Sequence, residues 1–285
     1  MQCQRLKVTF LKTILLVLTA LQPLKINAQV VPLANGFAHN DYFNKRPLFD
    51  ALDNGFTYIE ADIFLKNGQL VVAHVNPFFK GGRTLENLYL KPLAKRIADN
   101  NGAVYTGYTT SVTLMIDIKT NAEETYAVLK NLLNKYSTIF SRYKNGKVTR
   151  GAVTIVISGN KPFAAITSET DRMAFIDADL KETPSQLIAP DIYTTASCKY
   201  ARLLTWKGDG AMPPLEKLRL KWFIAEAHRK GRKVRLWASP ENKTVWRELL
   251  DCGVDLINTD KLMLLKGFLL NNTPLYASAD KIIEQ

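Results

Sequence analysis

The chain has 285 residues, is 47% hydrophobic by composition and carries a formal charge of +12 at pH 7. Its three cysteines and three histidines fall in no CxxC or Cys/His ligand spacing, which argues against a cysteine-based zinc site. A basic surface attracts phosphate-bearing partners as well as conferring solubility, so charge narrows the partner classes without choosing among them.

Residues 1–28 open with Arg5, Lys7 and Lys12, continue through an apolar run at 14–21 and end on Ile26-Asn27-Ala28. That order predicts a secretory signal peptide. The run falls short of the roughly 20 residues a membrane-spanning helix needs. The expected mature chain, 29–285, is a secreted or periplasmic protein without a lipid-anchor cysteine. Removal of Arg5, Lys7, Lys12 and Lys25 lowers the formal charge from +12 to +8. Its length suits one α/β barrel domain, which typically takes about 250 residues.

Strand-like segments follow at 36–38, 58–62, 112–118, 152–157, 173–176, 189–193, 234–237 and 254–257. An extra strand-like piece, 70–73, falls in the loop after the second. Amphipathic stretches at 122–136, 215–230 and 244–250 show the three- and four-residue apolar spacing of helices. Eight β/α units without a glycine-rich phosphate loop predict a single-domain TIM-type (β/α)8 barrel rather than an open nucleotide-binding sheet.

The chemistry-bearing residues sit at strand ends. Glu60 and Asp62 are two apart on the second strand, so both carboxylates share one face. Asp117 ends an apolar strand that would not tolerate an unpartnered charge. Three converging acids are explained either by a bound cation or by pairing with Lys119 and nearby arginines. Oxygen-only ligation suits Mg²⁺ or Ca²⁺. His39 follows the first strand and His74 follows the piece at 70–73, which makes them a candidate acid/base pair. His228 lies in the last turn of a helix, where a cation favours the dipole, and is assigned no catalytic role. Cys198, taken to follow a strand ending near Tyr193, and Cys252, at the far end of a helix, are expected at opposite faces and unbonded to each other.

The run from His39 through Tyr58-Ile59-Glu60-Ala61-Asp62-Ile63 to His74 resembles the phospholipase C-like phosphodiesterase superfamily, which includes glycerophosphodiester phosphodiesterases and sphingomyelinase D-like enzymes. The strand 114–120 is similar to the third-ligand strand of the latter, and 234–237 with 253–260 to the last two barrel strands of both. The resemblance implies one divalent cation on Glu60, Asp62 and Asp117, catalysis by His39 and His74 in either order, and Lys119 offsetting charge on the phosphoryl group. Trp237 is either a pocket wall or a packed barrel aromatic, and Asp41 and Asp260 are further pocket candidates. Glycerophosphodiesterases usually carry arginine after the first histidine and glutamate as third ligand, where this chain has Asn40 and Asp117. These departures lean toward the sphingomyelinase D-like side and the group named for altered inheritance of mitochondria protein six.

The expected function is a metal-dependent phosphodiesterase acting on a glycerophosphodiester or lysophospholipid head group, by hydrolysis or by forming a cyclic phosphate. The expectation includes peripheral contact with an anionic membrane surface, no nucleic-acid partner and a monomer. Two alternatives are a non-catalytic barrel that binds a phosphate-bearing ligand or surface partner and, further off, a glycoside hydrolase. The second would need its carboxylates on opposite sides of the bond, and Glu60 and Asp62 share a strand.

Overall fold

A computed structural model describes residues 30–77, 82–186, 189 and 191–272. The expected signal peptide, 1–28, lies outside the described residues. Eight parallel strands form the sheet: β1 (Leu33–Ala38), β2 (Phe56–Lys66), β3 (Val112–Ile118), β4 (Val153–Gly159), β5 (Ala174–Asp179), β6 (Tyr193–Lys199), β7 (Lys233–Trp237) and β8 (Leu256–Thr259). Each pairs with the next, and β8 pairs with β1, so the sheet closes into a barrel. The helices are α1 (Phe49–Asp53), α2 (Lys91–Asp99), α3 (Ala122–Asn134), α4 (Phe163–Ser168), α5 (Pro214–Arg229), α6 (Lys243–Asp251) and α7 (Leu262–Asn272). Among the described residues the β5–β6 connection holds only a short 3₁₀ turn, Thr183–Ser185. There the Lys230 ammonium, just past the end of α5, donates to the carbonyls of Thr183 and Gln186.

Alternation along each strand divides the side chains between two cores. Phe37, Met115, Val156, Phe175 and Leu256 fill the barrel interior, while a larger apolar layer lies between the strands and the helices. The next inward-facing position beyond that interior plug is polar on strand after strand: Glu60, Asp117, Ser158, Asp177 and Asn258. The carboxylates therefore lie at the C-terminal mouth, where barrels of this type place their chemistry. The short strand Gln69–Val72 pairs antiparallel with the end of β2 and brings His74 back over the mouth.

One expected strand is displaced. Of the expected run 189–193, the described residues 189, 191 and 192 precede β6, and Tyr193 alone belongs to the strand. Its sequence, Tyr-Thr-Thr-Ala-Ser-Cys-Lys, lacks the apolar run that marked the others. The reason lies inside the barrel, where Thr195 and Ser197 turn inward to donate to the Asp177 carboxylate. Cys198 consequently lies within β6 rather than after it. It and Cys252, which caps α6, are both buried and free.

Candidate active site

Glu60 and Asp62 project from β2 into the mouth and are buried. Asp117 stands directly across the ladder from Asp62. One ligand atom from each of the three lies within 4.8 Å of the others. Space for Asp117 comes from Gly159 on β4, whose backbone is left-handed at φ +68°. A Cβ there would sit 2.1 Å from Asp117 Oδ1.

The trio is incompletely neutralised by protein. Lys119 Nζ lies 3.1 Å from both Asp62 Oδ2 and Asp117 Oδ1, and Arg235 Nη1 donates to Glu60 Oε1 at 3.2 Å. Glu60 Oε2 is buried without a hydrogen-bond donor. Burial, with the charges of Asp62 and Glu60 added, pushes the Asp117 carboxyl up to about 6 despite the opposing Lys119. A buried acceptor without a donor, in a cluster of hard oxygen atoms, fits a divalent cation of the Mg²⁺ or Ca²⁺ kind.

The histidines approach the trio from two sides. His39 Nε2 is 3.5 Å from Glu60 Oε2, and its Nδ1 is 2.7 Å from Asp260 Oδ1. Burial alone would lower its pKa, but the Asp260 hydrogen bond and the Glu60 charge outweigh it and the net shift is upward. His74 Nδ1 lies 3.3 Å from Asp62 Oδ2, beside the Phe43 ring at a centroid distance of 5.8 Å. Asn40, left-handed at φ 48°, brings its amide nitrogen to 2.9 Å from His39 Nδ1 and donates to Asp260.

Three residues outside the sequence expectation belong to this architecture. The Tyr42 hydroxyl is within donating distance of Asp62 Oδ2 (2.8 Å) and Asn40 Oδ1 (2.7 Å) and lies 3.1 Å from His74 Nδ1. Burial first, then the Asp62 charge, keeps this phenol protonated. Asp177 is fully enclosed, bonded by Thr195 at 2.6 Å and Ser197 at 2.9 Å, and burial raises its pKa against the pull of Arg235. Arg235 itself is buried with its guanidinium 4.1 Å over the Phe37 ring, between the acidic layer and the apolar plug. A charged residue flanked by Val234 and Leu236 was a visible signal for Arg235, as was the Phe-x-Asp-x-Asp alternation of β5 for Asp177.

A cavity of about 350 Å³ joins His39, His74, the carboxylate trio, Lys119, Asn40 and Trp237. Asp260 is not on that wall and touches the site through His39. Asp41 departs from its expected place in the pocket. It is completely buried and accepts from the Leu48 amide at 2.5 Å and the Tyr89 hydroxyl at 3.0 Å, holding the β1–α1 loop. The turn at Asn40 sends adjacent side chains in opposite directions. A larger cavity of about 560 Å³, beside Gln69, Glu86 and Lys135, lies away from every residue of this constellation.

Residues 24–177 match the model of the AIM6-like phosphodiesterase domain, and residues 233–263 match that of the glycerophosphoryl diester phosphodiesterase family. The first span contains His39, Glu60, Asp62, His74 and Asp117, and the second contains Arg235, Trp237 and Asp260. The chain is 27% identical over 281 residues to altered inheritance of mitochondria protein 6 of Eremothecium gossypii, covering 86% of this chain and 72% of that protein. It is 27% identical over 274 residues to the homolog of that protein in Arthroderma benhamiae, covering 86% and 87%. With the Lachancea thermotolerans protein of the same name it shares 28% over 282 residues, covering 83% and 65%.

Proposed function

Because the chain belongs to the AIM6-like phosphodiesterase domain family, we propose that it is a secreted phosphoric diester hydrolase, with residues 29–285 as its single domain, using one Mg²⁺ or Ca²⁺ on Glu60, Asp62 and Asp117. The observation that carries this reading is the pair of imidazoles set against different members of the carboxylate trio, His39 at Glu60 and His74 at Asp62.

The cation, when bound, supplies Lewis-acid polarisation of a non-bridging phosphate oxygen. The side chains do the rest. Asp260 accepts from His39 Nδ1–H, which leaves Nε2 unprotonated and facing the reacting centre. In that tautomer His39 takes the proton of the attacking hydroxyl, and Asp260 and Glu60 stabilise the imidazolium that results. Lys119 places a fixed positive charge at the equatorial oxygens. His74, oriented by Tyr42 and Asp62, gives its proton to the departing oxygen. With water as the nucleophile the product is a monoester, and with a neighbouring substrate hydroxyl it is a cyclic phosphate. The substrate class is a glycerophosphodiester or a lysophospholipid head group.

The test is a panel of such diesters with wild type, His39→Ala and His74→Ala. Loss of one acid or base contributes on the order of 10²–10⁴-fold, so each variant should fall at least about a hundredfold in kcat/KM. If both retain full rates on a substrate the wild type cleaves, the assignment is wrong. A wild type inactive on the whole panel, yet binding phosphate esters, points instead to a non-catalytic barrel.

A further inference from the structure

Single exposed apolar side chains are ordinary, but a group of them around one opening is not. In a β/α barrel each helix begins at the strand C-terminal face, so its first turns border the catalytic mouth. Leu215 and Leu218 at the start of α5 are 81% and 68% exposed, and Met263 at the start of α7 is 69% exposed. Phe43 and Val75, at 69% and 71%, stand on the loops carrying the two histidines. They line a cavity of about 540 Å³ that adjoins the catalytic one through His74, which borders both.

Cations accompany these groups. Lys45, two residues from Phe43, and Lys207, on the loop leading to α5, are exposed. Neither has an ion-pair partner among the described residues. Exposed apolar side chains with unpaired lysines beside them suit a surface with an apolar interior and anionic head groups better than they suit water. The net positive charge of the chain acts in the same direction.

We infer that the catalytic face docks on an anionic lipid bilayer, with Phe43, Val75, Leu215 and Leu218 entering the interfacial layer and the mouth facing the head groups. This rests on the proposed phosphodiesterase reading only in supplying a reason for the docking, and the binding can be measured without catalysis. The docked barrel draws its diester from the membrane surface, with the cavity beside His74 as the path for the lipid part.

The experiment is co-sedimentation of the purified mature protein with vesicles of phosphatidylcholine, alone or mixed with phosphatidylglycerol. Wild type is compared with Leu215→Gln/Leu218→Gln, Phe43→Ser/Val75→Ser and Val148→Gln, the last an exposed apolar site on the antiparallel hairpin of Arg142–Lys144 and Lys147–Thr149, which lies between α3 and β4 and so at the opposite end of the barrel. Wild type and the Val148 variant should partition onto the mixed vesicles, and each double variant should lose at least about tenfold in partition coefficient, from the apolar area it no longer buries. No binding to mixed vesicles, or double variants that bind as wild type does, overturns the inference. Hydrolysis of soluble bis(4-nitrophenyl) phosphate is scored separately. A protein that binds vesicles but cleaves nothing contradicts the proposed function alone, and one that cleaves the soluble diester but ignores vesicles contradicts the docking alone.

Discussion

Gly159→Ala should dismantle the carboxylate trio while leaving the barrel folded. The residue is left-handed at φ +68°, and an added Cβ would lie 2.1 Å from Asp117 Oδ1 and 2.6 Å from the Ile118 carbonyl oxygen. The backbone conformation costs a residue with a Cβ about 1–2 kcal/mol, and overpacking adds about 1–3 kcal/mol. The total, about 2–5 kcal/mol, corresponds to a fall in Tm of roughly 4–20 °C for a domain of this size. The carboxylate is the softer of the two obstacles, so relief comes from rotating Asp117 away from Glu60 and Asp62. Gly68→Ala is the matched control, since Gly68 is also left-handed, at φ +73°, with nothing within 4 Å of a Cβ. Thermal unfolding with and without Mg²⁺ separates the effects. A cation at a hundred times its Kd stabilises by about 2.7 kcal/mol, and that increment should persist in Gly68→Ala and vanish in Gly159→Ala. If Gly159→Ala keeps both the metal-dependent increment and the wild-type rate, the role given to Asp117 is refuted.

Arg235→Met removes the guanidinium that bonds Glu60 within the barrel and faces Asp177, leaving buried carboxylates without their protein cation. Denaturant titration in EDTA should show a loss of about 3–5 kcal/mol, and a loss below about 1 kcal/mol would mean that the charged layer is not coupled as described. His228→Ala tests linkage away from the site. The hydrogen bond with Asp255 raises the His228 pKa above 6.5, so its stabilisation is present below pH 6.5 and is lost as pH rises through the raised value. The half-exposed pair contributes below about 1 kcal/mol. The variant should therefore be less stable than wild type at acidic pH and match it in alkaline buffer, and a deficit that grows with pH contradicts the linkage.

Much of this was legible in the sequence where polar residues interrupt apolar strands. Glu60 and Asp62 announce a shared face by their spacing, and the seven residues 112–118 appear as β3 without adjustment. The failures have physical causes. β6 carries Thr195 and Ser197 in place of an apolar run, because its inward face serves a buried carboxylate. Tyr42 reaches Asp62 and His74 through the β1–α1 loop, a convergence with no fixed spacing to reveal it. Adjacency to His39 and Asn40 assigns Asp41 to the pocket, but the left-handed turn at Asn40 directs it into the loop core.

The central claim, that Glu60, Asp62 and Asp117 hold a divalent cation needed for diester cleavage, is tested most directly by titrating metal back into EDTA-treated protein while following the cleavage rate. The account predicts no cleavage in EDTA, saturable recovery with Mg²⁺ or Ca²⁺ at one ion per chain, and no recovery in Asp62→Asn at the same concentrations. Undiminished cleavage in EDTA, or wild-type metal activation of Asp62→Asn, would contradict it.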